Sequence, residues 1–160
     1  MRIKGLTDED FVNYKLPSLF ICTATCTFKC DRECGRQVCQ NSALASLPTL
    51  EFDTDAIIGR YLSNPITKAV VFGGLEPFDQ YDELFAFLLT LRVERGRGDP
   101  VVIYTGYNED EISGEVQMLS MFPNVIIKFG RYIPDQAPHF DPVLGVELAS
   151  ENQHAVNIST

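Results

Sequence analysis

The sequence has no hydrophobic run long enough to cross a membrane and no segment typical of an exported protein. No stretch of the chain approaches the roughly 20 consecutive apolar residues that a transmembrane helix needs. Residues 1–10 also lack the apolar core of a signal peptide. We therefore expect a protein that works in the cytoplasm and has no membrane partner.

Basic residues are scarce relative to acidic ones. Lys and Arg number 13 and Asp and Glu number 22, which gives a formal net charge of −9. The hydrophobic share of 45% over 160 residues is that of one ordinary globular domain, spanning residues 1–160. A surface this acidic repels phosphate backbones, and no basic run offsets it. Nucleic acid is therefore excluded as the main partner.

Cysteine is absent from the chain except in one short segment. All five cysteines lie between Cys22 and Cys39. An odd number of clustered thiols is not typical of a disulfide framework, and crowded cysteines in a reducing compartment usually bind a metal. The segment also lacks the paired Cys-x2-Cys motif of many zinc sites. Spacing alone leaves an iron–sulfur cluster, a zinc ion and incidental thiols open, and it favours the cluster. The other four cysteines lie on the loop of residues 26–39, which we call the cysteine loop. Cys22 precedes this loop on a predicted strand, where a small buried apolar side chain is expected.

Strands and helices alternate along the chain. Apolar runs predict strands at residues 18–24, 68–72, 101–104 and 125–129, and helical periodicity predicts helices at 53–62, 79–95 and after Asn108, where Glu111 completes a capping box. The last thirty residues are expected to be loop-rich, with an extended piece at 143–148. Strands that are apolar throughout favour a parallel sheet with helical crossovers. Four or five such units are too few for a closed barrel, so the fold class is α/β, either an open, partial β/α barrel or a small doubly wound sheet.

Two glycine-containing segments directly follow predicted strands. They are Gly73-Gly74-Leu75-Glu76 and residues 104–107 (Tyr-Thr-Gly-Tyr). Glycine lets a ligand approach the backbone closely, and Glu76 supplies a carboxylate. A tight turn with an acidic residue at a helix start also explains the first segment, and taken alone this is the stronger interpretation. However, the carboxyl ends of parallel strands share one edge of the sheet, so both segments and the cysteine loop should meet there. Their convergence predicts a binding site.

The order of these motifs resembles the radical S-adenosylmethionine (SAM) family, specifically the small activating proteins of anaerobic ribonucleoside-triphosphate reductase. Residues 26–30 (Cys-Thr-Phe-Lys-Cys) are similar to the start of the family's Cys-x3-Cys-x2-Cys loop, and residues 39–42 (Cys-Gln-Asn-Ser) resemble its Cys-His-Asn-Pro ending. Residues 73–80 look like its Gly-Gly-Glu-Pro segment, and residues 104–107 match its Tyr-Thr-Gly-Tyr. Residues 149–153 (Ala-Ser-Glu-Asn-Gln) are similar to the activases' Ser-Ser-Asn-Gln. The resemblance runs in order from about residue 19 to residue 158.

The sequence departs from the family pattern in the cluster loop and in the Gly-Gly-Glu segment. Glu33 occupies the position of the last cysteine, so the third ligand is either Cys39, across an insertion of residues 31–38, or Cys34. The resemblance favours Cys39 because Gln-Asn follows it as in the family pattern. Val38 replaces an aromatic residue, and Leu75 is inserted between the glycines and the glutamate.

The resemblance implies a cofactor, a set of ligands and a reaction. Three irons of a [4Fe-4S] cluster would be held by cysteine and the fourth would bind SAM, whose reductive cleavage yields a radical that takes a hydrogen atom from a glycine. No side chain is expected to act as an acid or a base. The implied partners are a large glycyl-radical enzyme and a flavodoxin- or ferredoxin-type reductant. The implied metal ligands are Cys26, Cys30 and Cys39, and the implied SAM-binding residues are Asn41, Gly73, Gly74, Glu76, Tyr104 and Thr105.

Two other interpretations stay open at this point. One is a radical SAM enzyme that acts on a small molecule or peptide, and the other is a non-enzymatic module that binds a cluster or zinc. The two histidines, His139 and His154, are expected to be surface residues and not ligands. Residues 135–141 are expected to be an ordinary loop.

Overall fold

The centre of the protein is a mixed seven-stranded β-sheet. The structure is a computed structural model that describes residues 1–160. Its strands are β1 (Arg2–Asp10), β2 (Ser18–Thr23), β3 (Leu50–Glu51), β4 (Ala69–Gly73), β5 (Val101–Tyr104), β6 (Val125–Phe129), β7 (His139–Asp141), β8 (Val146–Leu148) and β9 (His154–Asn157). The sheet has the order β3-β1-β2-β4-β5-β6-β9, while β7 and β8 form a separate two-stranded sheet. Strands β2, β4, β5 and β6 are parallel, whereas β1, β3 and β9 pair antiparallel.

Helices connect the parallel strands. They are α1 (Lys29–Cys34), α2 (Thr54–Ser63), α3 (Tyr81–Leu89) and α4 (Ser113–Leu119). Short 3-10 helices occupy Ser42–Ser46, Pro77–Gln80 and Glu109–Glu111, and a π-helical turn, Thr90–Glu94, continues α3. None of the helices combines the length and the apolar character that crossing a membrane requires.

Helices α2, α3 and α4 all pack against the same face of the sheet. The parallel strands follow one another across the sheet without a change of direction, and right-handed crossovers then place every helix on one side. Their buried side chains form one core with that face, including Ile57 of α2, Phe87 of α3 and Leu119 of α4. A doubly wound sheet has helices on both faces, so that alternative is wrong. The protein is a mixed α/β fold around an open sheet, with β3 and β9 at its edges.

The opposite face of the sheet is only partly covered. Tyr14, Leu144 and Leu148, from two loops and the end of β8, pack on Val71 and the neighbouring strand residues in a second, smaller core. This covering does not extend over the carboxyl ends of the parallel strands, which border a cleft. The fold therefore leaves open the edge at which the sequence predicts a site.

The structure confirms the four apolar strands and corrects several helix details. The predicted helix at 79–95 begins as a 3-10 turn and becomes α-helical at Tyr81. Helix α2 buries Ile57, Ile58 and Tyr61, whereas Leu62 at its end is 37% exposed. The capping box of Asn108 and Glu111 is present, although it caps a 3-10 turn that precedes α4. Of the extended piece expected at 143–148, only Val146–Leu148 is a strand. Strands β1, β3, β7 and β9 and helix α1 were not predicted.

Candidate functional site

A cleft of about 670 Å³ opens at the carboxyl ends of β2, β4, β5 and β6. It has the size of pockets that hold cofactors and small ligands, roughly 300–1,000 Å³. The cysteine loop, both glycine segments and the turn after β6 contribute to its walls. All nine residues that the sequence singles out for the site line this cleft: Cys26, Cys30, Cys39, Asn41, Gly73, Gly74, Glu76, Tyr104 and Thr105.

Three of the five cysteines face the cleft through their loop. Cys26, Cys30 and Cys39 are half-buried and line it, whereas Cys34 is exposed and lies outside its lining. Cys22 also borders the cleft but is buried, as expected for an apolar residue. No three His, Cys, Asp or Glu side chains are close enough together to bind a single metal ion. A four-iron cluster binds each thiolate on a different iron, so its ligands need not converge on one point.

Asp31 folds the cysteine loop back on itself. Its Oδ1 accepts hydrogen bonds from the backbone N–H of Val38 at 2.7 Å and of Cys39 at 2.8 Å. Asp31 lies in α1 directly after Cys30, so these bonds bring the end of the loop beside its middle. The insertion between Cys30 and Cys39 therefore does not separate the two thiols. This contact could not be predicted from the sequence, because Asp31 belongs to none of the motifs described above.

Burial keeps the thiols of Cys26 and Cys30 protonated in the absence of a metal. It raises the pKa of Cys26 to about 11 and that of Cys30 to about 12, with nearby acidic groups and the Cys39 thiol adding to the effect. The backbone N–H of Phe28 donates to Cys26 Sγ at 3.2 Å and opposes the shift at that residue. Because a metal binds thiolates, loading this site must release protons.

Gly74 allows β4 to end directly against Cys22. Its φ of +80° lies in the left-handed region, and a Cβ atom at this position would be 2.3 Å from Cys22 Sγ. Both features require glycine. The inserted Leu75 is buried and also lines the cleft. The backbone N–H of Glu76 then donates to the Thr25 carbonyl at 2.8 Å, which joins this turn to the start of the cysteine loop.

Glu76 is a buried carboxylate held by three donors. Oε1 accepts from Thr105 Oγ1 at 2.8 Å and from Phe78 N at 3.1 Å, and Oε2 accepts from Gly106 N at 2.8 Å. The carboxylate thus links the turn after β4 to the turn after β5. Burial raises the pKa of Glu76 to about 7, against the opposing effect of these hydrogen bonds.

A buried lysine lies at the floor of the cleft and was not predicted. Lys128 Nζ donates to Gly130 O at 2.8 Å and to Thr105 O at 3.4 Å. Burial lowers its pKa to about 8, although Glu76 opposes this. Lys128 comes at the end of β6, and Gly130 after it has a φ of +99°. The sequence feature that could have indicated Lys128 is the glycine that follows it at the end of a parallel strand.

Asp79 and Gln80 hold the first part of the cysteine loop. Gln80 Oε1 accepts from Ala24 N at 2.8 Å. Asp79 accepts from Thr27 N at 2.7 Å and from the Tyr107 hydroxyl at 2.6 Å. These contacts join residues 79 and 80 to the cysteine loop and to the turn after β5.

The last motif fixes the carboxyl-terminal segment to the end of β6. Gln153 lines the cleft, and its Nε2 donates to Gly130 O at 3.3 Å, while Asn152 Nδ2 donates to Arg131 O at 2.8 Å. His139 and His154 do not line the cleft. Asp141 is buried and accepts from three backbone N–H groups, so its role is structural.

The fold and the cleft define a mixed α/β protein with three thiols at the open end of a sheet. Residues 17–153 match the model of the family described as 4Fe-4S single cluster domain. The chain therefore belongs to the 4Fe-4S single cluster domain family and is an iron–sulfur protein. The match supports a four-iron cluster over the zinc ion that the cysteine spacing left open. Searches of curated proteins and of solved structures gave no match.

Proposed function

We propose that Cys26, Cys30 and Cys39 hold a [4Fe-4S] cluster, and that the rest of the cleft binds SAM for reductive cleavage. The proposal is carried by the meeting of three half-buried thiols with two glycine turns in one cleft. Three thiolates on a four-iron cluster leave one iron without a protein ligand, and that iron is available to SAM. The resemblance of the motifs to radical SAM activases supports the same assignment.

The residues of the cleft fit the two ends of SAM. Gly73 and Gly74 both line the cleft, Gly73 buried and Gly74 half-buried, and Glu76 offers a carboxylate to the ammonium group of the methionine. Asn41, Tyr104 and Thr105 are the proposed contacts for the remainder of the molecule. A cluster bound at the three cysteines would, once reduced, supply the electron that breaks the sulfonium carbon–sulfur bond of SAM. The protein binds SAM, orients it and excludes water.

The open sheet supports a protein as the source of the hydrogen atom. Its edges are not joined, and such an open sheet leaves the cleft open at the side. A small molecule would be poorly enclosed there, whereas a loop that carries a glycine would fill the opening. We therefore propose a glycyl-radical enzyme, such as anaerobic ribonucleotide reductase, as the partner.

A small electron-transfer protein is the proposed reductant. The lysine and the acidic residues of α1 are engaged within the molecule: Lys29 and Glu33 form ion pairs, and Asp31 accepts the loop's backbone bonds. Arg32 is exposed, and Arg36 is 66% exposed with its partner at 3.9 Å. Two exposed arginines thus lie in or beside α1 on an otherwise acidic protein. Acidic donors of the flavodoxin or ferredoxin type complement such a surface.

The reaction itself is the first test. With dithionite as reductant, the anaerobically reconstituted protein is expected to convert SAM into methionine and 5′-deoxyadenosine, measured by liquid chromatography. Turnover should be slow for the protein alone and faster with the glycyl-radical partner, which should gain a glycine radical detectable by electron paramagnetic resonance (EPR). If a verified four-iron cluster and a proven reductant give no cleavage, the enzyme proposal fails and a cluster-binding interaction module replaces it. Cleavage without a radical on any such partner removes only the activase assignment.

Glu76→Gln is expected to weaken SAM binding without removing iron. The amide places an N–H₂ group where the carboxylate accepts three hydrogen bonds, and it loses the charge that pairs with the ammonium group. A hydrogen bond to a charged group contributes roughly 1.5–3 kcal/mol, so the SAM concentration for half of the EPR change should rise about ten- to a hundred-fold.

Glu147→Gln is the matched control for this variant. Glu147 lines the same cleft from β8 but is exposed, so its replacement should leave the EPR titration unchanged. Equal effects of the two substitutions would show that the total charge of the cleft matters and not the position of Glu76.

A further inference from the structure

Helix α1 carries the middle of the cysteine loop but contributes nothing to the core. None of its residues is buried, and no side chain caps its first turn. Asp31 makes contacts only within the loop itself. The position of α1 relative to the rest of the cleft therefore depends on polar side-chain contacts. Two residues of the helix make such contacts to distant parts of the chain, Lys29 and Glu33.

Both contacts lead to Arg131, which follows β6. Arg131 Nε donates to Glu33 Oε2 at 2.8 Å. Its Nη1 and Nη2 form a fork on the carboxylate of Glu111, each at 2.6 Å, and Glu111 in turn accepts from Lys29 Nζ at 2.9 Å. Nη1 also donates to the carbonyl of Gly106 at 2.8 Å. The side chains of Arg131 and Glu111 are only 11% and 22% exposed, whereas that of Glu33 is 57% exposed, so the fork on Glu111 is better shielded from water than the bond to Glu33.

We infer that Arg131 is the positioning residue that sets the cysteine loop against the Tyr-Thr-Gly turn. Its guanidinium contacts Glu33 of α1, Glu111, which binds Lys29, and Gly106 in the turn after β5. That turn also donates two hydrogen bonds to Glu76, from Thr105 and Gly106. Arg131 thus couples the thiol side of the cleft to its carboxylate side. The inference rests on the proposed function, because it gives the two sides a common ligand that must contact both.

The planar fork of arginine is needed for this role. A lysine keeps the positive charge but is a single point donor with three N–H groups. Its Nζ atom can donate to several acceptors only where they converge on that one atom, so it cannot hold Glu33, both oxygens of Glu111 and the Gly106 carbonyl in the arrangement that the guanidinium gives them. Arg131→Lys is therefore a variant that removes the geometry and preserves the charge.

Arg131→Lys is expected to retain its iron but to require more SAM. In the reconstituted, reduced protein we expect normal iron content and about a tenfold rise in the SAM concentration for half of the EPR change, equal to about 1.4 kcal/mol. The control is Arg60→Lys. Arg60 also forms a fork on a carboxylate, that of Asp8, and it joins α2 to β1 outside the cleft. Its replacement should leave the titration unchanged.

Glu33→Gln provides a second test that spares the fold around Arg131. It weakens the link to α1 but leaves the fork on Glu111 intact, and Glu33 is 57% exposed, so the variant should fold normally. A rise in the required SAM in both variants supports the inference. If both titrate like the unmutated protein, or if Arg131→Lys lowers only the melting temperature, Arg131 is merely structural and the inference is overturned. If the unmutated protein shows no SAM-dependent spectrum, the proposed function fails, and this inference fails with it.

Discussion

Replacing Cys26, Cys30 or Cys39 with alanine is expected to remove most of the iron from the anaerobically reconstituted protein. In the proposed site each thiolate would hold one iron of the cluster, so the loss of one ligand would expose a second iron and the cluster would dissociate. Cleavage of SAM should be abolished in the same variants. Iron and sulfide analysis together with the visible absorption spectrum measures the effect.

Cys34→Ala is the matched control for the ligand assignment. Cys34 lies on the same short helix as Cys30, but it is exposed and does not line the cleft. Cys34→Ala and Cys22→Ala should therefore retain the cluster. A protein that loses iron in Cys34→Ala but keeps it in Cys39→Ala would contradict the assignment of Cys39 across the insertion.

The four parallel strands of the central sheet could be predicted from the sequence because they are buried on both faces. A strand of this kind is a short, continuous apolar run, and the runs at 101–104 and 125–129 coincide with β5 and β6. The position of the site followed from the same pattern, since the carboxyl ends of parallel strands share an edge. Whether the helices lie on one face or on both could not be predicted. Their placement depends on the order of the strands in the sheet, and the pattern of apolar residues does not determine that order.

Strand β1 could not be predicted from the pattern of apolar residues. Its sequence is mostly polar, and only Ile3 and Asp10 are buried. The strand forms through backbone pairing with β2 and β3, which depends on neighbours that are distant in the sequence. The same limit applies to β9, which pairs only with β6 at the edge of the sheet.

The motifs of the site were visible, but the contacts that assemble them were not. Only glycine fits at position 74, because of its backbone conformation and its close approach to Cys22. Such a requirement can be recognised in the sequence as a Gly-Gly pair after a predicted strand. Lys128 and Arg131 act through partners on other elements, and Asp31 acts through a residue later in the cysteine loop. Such residues resemble ordinary surface charges until the fold brings their partners beside them.

Gly74→Ala is expected to destabilise the protein by about 2–5 kcal/mol. A left-handed backbone conformation costs an L-residue roughly 1–2 kcal/mol, and overpacking a filled site costs about 1–3 kcal/mol. Both apply here, since φ is +80° and the new Cβ atom would lie 2.3 Å from Cys22 Sγ. Anaerobic urea denaturation measures the change in the free energy of unfolding.

Two comparisons separate the causes of this loss. Gly59→Ala, within α2, meets no atom within 4 Å and should stabilise the protein by about 0.5–1 kcal/mol, because alanine is the better helix residue. In the double variant Cys22→Ala/Gly74→Ala the sulfur is gone, so the two substitutions should couple favourably by about 0.5–3 kcal/mol. The backbone strain at residue 74 should remain in that variant. A Gly74→Ala protein as stable as the unmutated one would contradict the close packing of β4 against Cys22, and with it the reason for glycine at this edge of the cleft.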